Sequence, residues 1–220
     1  MKATGLIAAA GSGERLGAGG PKAFVPLAGR PMIEWSLAAF RAAKAVDRVV
    51  VAAPPGHEQE LGTDQVVVVS GGETRSESVA RAMEAVESEL VAVHDAARPL
   101  VTAELIDAVL GQLEADPECD AVVAAAPVTD TIKQVARGME VDSTLDRSAL
   151  WAAQTPQAFR SAALREALDS TRLLAQATDE AMLLERIGRR VVLHETRPEN
   201  LKVTTPLDLR LAEALLGERQ

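Results

Sequence analysis

The sequence predicts an α/β fold: a Rossmann-like three-layer domain, a mostly parallel sheet with helices on both faces, plus a projecting β-arm. Three observations predict it. Short, continuously apolar runs recur along the chain, as strands covered on both faces require. Between them stand longer segments whose apolar residues fall at three- and four-residue spacing, the mark of helices that bury one face. The two kinds alternate, which is the order that parallel strands and their crossover helices impose. The chain has 220 residues, 47% hydrophobic and 25% charged, which suits one ordinary core and a single domain over 1–220.

The first strand is expected at Thr4–Ala10. Its apolar stretch is short and Glu14 and Arg15 follow at once, so it reads as a core strand and not as a signal peptide. A helix follows over Met32–Ala43, then strands over Arg48–Ala53 and Gln65–Ser70. The next helix, Ser76–Ser88, opens on Thr74-Arg75-Ser76-Glu77, a capping-box pattern that gives Thr74 and Glu77 a structural task. Strand Leu90–His94, helix Thr102–Ala115 and strand Ala121–Pro127 continue the alternation. From Asp130 to Ala149 the rhythm breaks into polar, β-leaning pieces around Ala136-Arg137-Gly138. A hairpin arm that buries itself on a second copy explains this segment, and so does a plain surface loop. Helices near Ser161–Ser170 and Asp179–Ile187, a strand at Arg190–Glu195 and a last helix from Pro206 complete the chain. Thr205-Pro206-Leu207-Asp208 supplies that helix with an N-cap and a proline in its first turn.

Composition excludes several classes of function. A net charge of −9 and an aromatic content of 2% are the opposite of what a nucleic-acid binder needs, so no nucleic-acid partner is expected. The single cysteine, Cys119, rules out an intrachain disulfide and a cysteine-based zinc site, and points to a reducing, cytoplasmic compartment. No apolar run approaches the ~20 residues of a membrane span, so no membrane partner is expected either.

The loop after the first strand carries the strongest signal. Ala8-Ala9-Ala10-Gly11-Ser12-Gly13-Glu14-Arg15-Leu16-Gly17 runs on to Pro21-Lys22, a glycine-rich loop able to wrap backbone N–H groups around an anion. A dinucleotide fold would need a third glycine where Leu16 stands and an acid after the second strand, where Ala52-Ala53-Pro54 stands. A P-loop would need glycine before the lysine and Ser or Thr after it, but Pro21 precedes Lys22 and Ala23 follows. What remains is a glycine loop with two cations, Arg15 and Lys22.

Further motifs follow in order. They are Val93-His94-Asp95-Ala96-Ala97-Arg98-Pro99, Ala126-Pro127-Val128-x-Asp130-Thr131-Ile132-Lys133 and Asp146-Arg147-x-x-Leu150-Trp151-x-x-Gln154-Thr155-Pro156-Gln157. Thr178-Asp179-Glu180-Ala181 and Asn200-Leu201-Lys202-Val203-Thr204 complete them. Together with the glycine loop they resemble the 2-C-methyl-D-erythritol 4-phosphate cytidylyltransferases over essentially the whole chain. The resemblance implies attack of a phosphate monoester on the α-phosphorus of CTP with loss of pyrophosphate, and a magnesium ion on the triphosphate. The nucleophile is already an anion, so no general base is needed, in keeping with the absence of a Ser-His-Asp or Cys-His set.

The resemblance also distributes roles. Arg15 and Lys22 stabilise the transition state, and Arg147 and Lys202 hold the phosphate of methylerythritol phosphate. Ala9, Ala10, Gly11, Gly13 and Ala96 belong to the nucleotide site. The Gly72-Glu73 turn and the Ser78 hydroxyl are expected at the pyrimidine edge. Asp95 and Arg98 are expected near the acceptor with Thr131, Thr155 and Thr178, and Asp95 is the nearest acid for a metal. His94, just inside its strand end, reads as a satisfied buried imidazole and not as a catalyst. Glu199 stands where the family commonly has Asp. A homodimer through the arm would let Arg147 and Thr131 complete a neighbour's site. Alternatives that stay open are a cytidylyltransferase for another polyol phosphate, such as ribitol 5-phosphate, and a non-catalytic nucleotide-binding protein.

Overall fold

A computed structural model describes residues 2–11, 13, 16, 20–61, 65–169 and 177–218. Arg15, the neighbouring loop residues Ser12, Glu14, Gly17, Ala18 and Gly19, and Ser170 of an expected helix lie outside the described residues. In chain order the elements are β1 (Ala3–Ala8), β2 (Pro26–Leu27), β3 (Arg30–Pro31), α1 (Met32–Ala42), β4 (Val46–Ala53), β5 (Val66–Ser70), α2 (Arg75–Met83), β6 (Leu90–Asp95) and α3 (Ala103–Ala115). They continue with β7 (Ala121–Pro127), β8 (Lys133–Val135), β9 (Val141–Thr144), β10 (Trp151–Arg160), α4 (Ser161–Leu168), α5 (Glu180–Arg186), β11 (Val191–Glu195) and α6 (Pro206–Gly217).

Seven strands form one sheet in the order β11-β7-β10-β6-β1-β4-β5. The β1–β4, β1–β6, β4–β5 and β7–β11 pairs are parallel, while β10 runs antiparallel to both β6 and β7. Alternation along the strands divides the core. Ile7, Val49 and Val51 pack beneath Ile33, Leu37 and Phe40 of α1 and Ile106, Val109 and Leu113 of α3. Leu6, Val50, Val91 and Val93 face the other way, toward Val79 and Met83 of α2, Leu164 of α4 and Leu183 of α5. Gly5 is what lets Phe40 lie on β1, because a Cβ there would sit 2.3 Å from the ring. Ala212 and Leu216 of α6 close a smaller cluster over Leu27, Met32 and Leu100.

Three expectations need correction. β10 was not expected as a strand: Pro156 and the polar residues around it hide it, and the sheet accepts them at a register shift between Ala153 and Gln157. Helix α2 ends at Met83 and not at Ser88, because the next amides, of Glu84, Ala85 and Val86, reach back only to the carbonyls of Arg81, Ala82 and Met83. β1 stops at Ala8, although the Ala9 N–H still donates to Ala52 O. The segment expected as an arm contains the β8–β9 ladder, separate from the main sheet and solvent-exposed along most of its length. Among the described residues no helix is long and apolar enough to cross a membrane.

Candidate active site

A cavity of about 460 Å³ opens where β1 and β6 end and where the turn after β5 meets them. This is the carboxyl edge of the sheet, where strand ends and loop amides converge in open α/β folds. Its walls bring together most of the residues expected in the site. Ala9, Ala10, Gly11, Gly13 and Lys22 come from the first loop, Gly72 and Glu73 from the turn, Ser78 from the first turn of α2, Asp95 from the end of β6 and Ala96 just after it, and Lys202 from the segment before α6.

The first loop doubles back on itself. The Lys22 N–H donates to Gly11 O at 3.1 Å and the Leu16 N–H to Gly13 O at 2.9 Å. Gly13 has φ +74°, and a Cβ there would lie 3.0 Å from the Lys22 Cβ, so glycine is what allows the lysine to be drawn over the loop. The turn approaches from the opposite side: a Cβ on Gly71 would fall 2.4 Å from the Ala10 Cβ. Both halves of the capping box form, which gives Thr74 and Glu77 the structural task expected of them. The Ser78 hydroxyl accepts from Gly72 N–H at 3.0 Å and donates to Thr74 O at 2.9 Å. Its proton is therefore engaged within the turn, and its part here is to shape Gly72.

The charges form a relay. Asp95 accepts from Arg75 Nε on Oδ1 at 2.7 Å, and Lys202 Nζ lies 2.7 Å from Oδ2. Arg75 Nη1 in turn donates to Glu180, whose side chain is fully buried. Burial alone would raise the Asp95 carboxyl, but Arg75 and then Lys202 outweigh it and hold it well below the usual carboxylate range. Burial pulls Arg75 down, and Glu180 and Asp95 more than offset it, so the guanidinium stays charged. Burial pushes Glu180 up. Arg75 lines the pocket and Glu180 supports it from behind, and neither was singled out from sequence. Both sit inside quoted motifs, but nothing local says that residues so distant in the chain meet.

Behind Asp95 lies the imidazole of His94. Nε2 faces the Arg98 carbonyl at 3.2 Å, an acceptor only, so Nε2 carries the proton and Nδ1 accepts from Thr155 Oγ1 at 2.9 Å. Thr155 Oγ1 also accepts the Asp95 N–H at 3.1 Å. Burial pushes His94 down to about 3, which keeps it neutral and unfit as a base at neutral pH. Thr155 was expected against the acceptor. It is 3% exposed and its hydroxyl is fully engaged, so it steadies Asp95 from below.

The other described residues expected in the site fall outside the cavity. Arg98 donates to Asn200 O at 2.8 Å, and Val203 N–H donates to Ala97 O at 2.8 Å; together they staple the Lys202 segment to the sheet edge. Arg147 is exposed and donates to Thr129 O at 2.7 Å, beside the equally exposed Thr131 at the base of the β8–β9 hairpin. Thr178 is exposed in the turn before α5. Glu199 lines a second cavity with Glu195 and Glu218, so its departure from the expected Asp does not touch the first. Among the described residues no group of three metal-ligating side chains comes together.

The sequence pattern of the 2-C-methyl-D-erythritol 4-phosphate cytidylyltransferase family matches residues 4–218. The enzyme of that name from Symbiobacterium thermophilum is 44% identical, over 97% of this chain and 92% of that protein. The one from Dechloromonas aromatica is 43% identical, over 98% and 97%. The crystal structure of the Thermus thermophilus enzyme superposes with a TM-score of 0.81 at 39% identity, covering 99% of this chain and all of that one. The Francisella tularensis enzyme gives 0.84 at 33% identity, over 97% and 99%. The chain belongs to the 2-C-methyl-D-erythritol 4-phosphate cytidylyltransferase family.

Proposed function

We propose that the cavity at the sheet edge is where this chain transfers CMP from CTP to 2-C-methyl-D-erythritol 4-phosphate, giving 4-diphosphocytidyl-2-C-methyl-D-erythritol and pyrophosphate for isoprenoid biosynthesis. The observation that carries the reading is that Lys22 and Lys202, from chain segments far apart in sequence, line one cavity together with Gly11 and Gly13. An oxygen of the acceptor phosphate attacks the α-phosphorus, and the bond to pyrophosphate breaks in line with it. Two anions must meet while charge grows on the leaving group, so fixed cations and positioning supply most of the rate. Lys22 serves the triphosphate side and Lys202 the acceptor phosphate. Arg15 belongs with Lys22 in this reading.

Preference for cytosine follows from the turn. The N–H groups of Gly72 and Glu73 are engaged by Ser78 Oγ and Glu77 Oε2, while Gly71 O accepts from Arg81 Nη1 and Thr74 O from Ser78, so what the turn has left to offer a base is the carbonyl oxygens of Gly72 and Glu73. Acceptors there suit the exocyclic amino group of cytosine and repel the carbonyl that uracil carries in its place.

Both oxygens of Asp95 already hold cations, Arg75 on Oδ1 and Lys202 on Oδ2, so a magnesium ion on the triphosphate would take its ligands from substrate phosphates and water, with Asp95 acting on it only through its charge. When bound, the ion supplies charge neutralisation along the triphosphate. The single buried thiol, Cys119, supports a reducing, cytoplasmic setting.

The chain is further read as a homodimer. Val135, Met139 and Val141 of the β8–β9 hairpin are 46%, 88% and 53% exposed, an apolar face that a second copy would cover. Arg147 and Thr131, at the base of the hairpin, would then complete the neighbour's acceptor site.

The deciding assay is pyrophosphate release from CTP and magnesium with methylerythritol phosphate or ribitol 5-phosphate as acceptor. Release with methylerythritol phosphate alone is expected. Release with ribitol phosphate alone would move the acceptor, and binding of CTP without release would leave a nucleotide-binding protein.

A further inference from the structure

Glu180 is the first residue of α5, fully buried, and 105 residues from the guanidinium it holds. It is not part of the cavity wall, and the transfer chemistry makes no direct demand on it. The helix does not need it as a cap, because the Asp179 carboxylate already accepts the Met182 N–H at 2.9 Å. Burying a carboxylate is costly even when it is paired, so stability alone does not account for the contact of Glu180 with its partner Arg75.

The geometry of that partner supplies the reason. The Arg75 guanidinium spans two carboxylates, with Nε on Asp95 Oδ1 at 2.7 Å and Nη1 on Glu180 Oε2. Arg75 Nη2 and Glu180 Oε1 remain buried without a hydrogen-bond partner. An ion pair arranged for its own stability would close both forks on each other. Here one fork is given up so that the same rigid plane reaches Asp95. With Oδ1 fixed in this way, Oδ2 faces Lys202, whose Nζ lies 2.7 Å away.

We propose that Glu180 is a positioning residue for the acceptor side of the cavity: by anchoring Arg75 it orients Asp95, and through Asp95 it sets where the Lys202 ammonium meets an anionic acceptor. The inference rests on the reading of Lys202 as the acceptor cation. Without Glu180 the guanidinium is free to close bidentate on Asp95 and displace Lys202 from its place.

Glu180→Gln in the full chain tests this, with pyrophosphate release measured while each substrate is varied in turn. A rise of about tenfold in the KM for methylerythritol phosphate is expected, with the KM for CTP unchanged. Arg75→Lys keeps the charge but cannot span two carboxylates, so it should shift the same parameter. The two effects should not add in the double variant, because both break one relay. Equal losses toward both substrates, or additive losses, would make Glu180 a packing residue and overturn the inference. Should Glu180→Gln fail to fold, the split between substrates in Arg75→Lys decides alone. The unaltered chain is assayed first. No pyrophosphate from it would overturn the proposed function and this inference together, whereas normal turnover with an unchanged acceptor KM in the variants overturns the inference only.

Discussion

Lys22 is held by its backbone and acts through its side chain. Its N–H is tied to Gly11 O and its Cβ packs against Gly13, contacts that alanine keeps. Lys22→Ala should therefore lower kcat/KM by about 100- to 1,000-fold, the worth of one preorganised charge on a transition state, while the thermal midpoint barely moves. Steady-state pyrophosphate release and a circular-dichroism melt on the same preparation check both halves. His94 gives the opposite kind of prediction, one about stability. Its folded pKa is about 3 against an ordinary 6.5, so below pH 6.5 the unfolded chain takes up a proton that the folded chain refuses. Its contribution against folding thus grows as pH falls through that window, by about 1.4 kcal/mol per pH unit. Denaturant titrations between pH 7 and pH 5 should show a shallower loss for His94→Gln, and equal slopes would refute the assignment. Lys22, Gly13 and Lys202 were legible because their motifs are local. The Arg75–Glu180 contact was not, since a salt bridge across 105 residues leaves no trace in spacing. Thr155 and Arg98 stand behind the cavity wall for the same reason, since their partners Asp95, His94 and Asn200 are set by the fold and not by local spacing.

At the scale of elements, the parallel strands and the helices were legible because each is buried in a periodic way. Val49–Val51 and Ala121–Ala126 are apolar without interruption, and a two-sided burial is the physical cause. β10 was illegible because its polar residues have tertiary partners: Gln154 Oε1 accepts from Asn200 Nδ2 at 2.9 Å, and Gln157 Nε2 donates to Asp179 at 3.0 Å. Such residues look like loop until their partners are known. The turn after β5 gives an element-scale prediction. A Cβ at Gly71 would press on the Ala10 Cβ at 2.4 Å and on the Ala53 carbonyl at 3.0 Å. Gly71→Ala should push the turn away from the glycine loop and raise the KM for CTP, leaving the acceptor KM in place. An unchanged CTP KM would show that the approach of the two loops does not shape the nucleotide site.

For the whole molecule, the exposed β8–β9 hairpin makes assembly testable. Replacing Lys133–Thr144 by a short linker should give an inactive monomer in sedimentation and turnover measurements, and a truncated chain that stayed dimeric and active would refute the dimer. The hairpin was legible only as a break in rhythm, because its apolar face has no partner within the chain. The antiparallel strand that follows it has another consequence. β10 lies between β6 and β7, which do not pair with each other. On the ribosome, β5-β4-β1-β6 can close once residue 95 has emerged, since all four strands come earlier. β7 is made next, and its two hydrogen-bonding neighbours, β10 and β11, are both still to be synthesised. For roughly 30 residues of elongation, or a few seconds at ~5–20 residues per second, its alanine- and valine-rich edges stand open to any strand nearby. The length of the insertion between β7 and β10 is thus also the length of time for which both edges of β7 stand open together on the nascent chain, before β10 covers one and β11 the other.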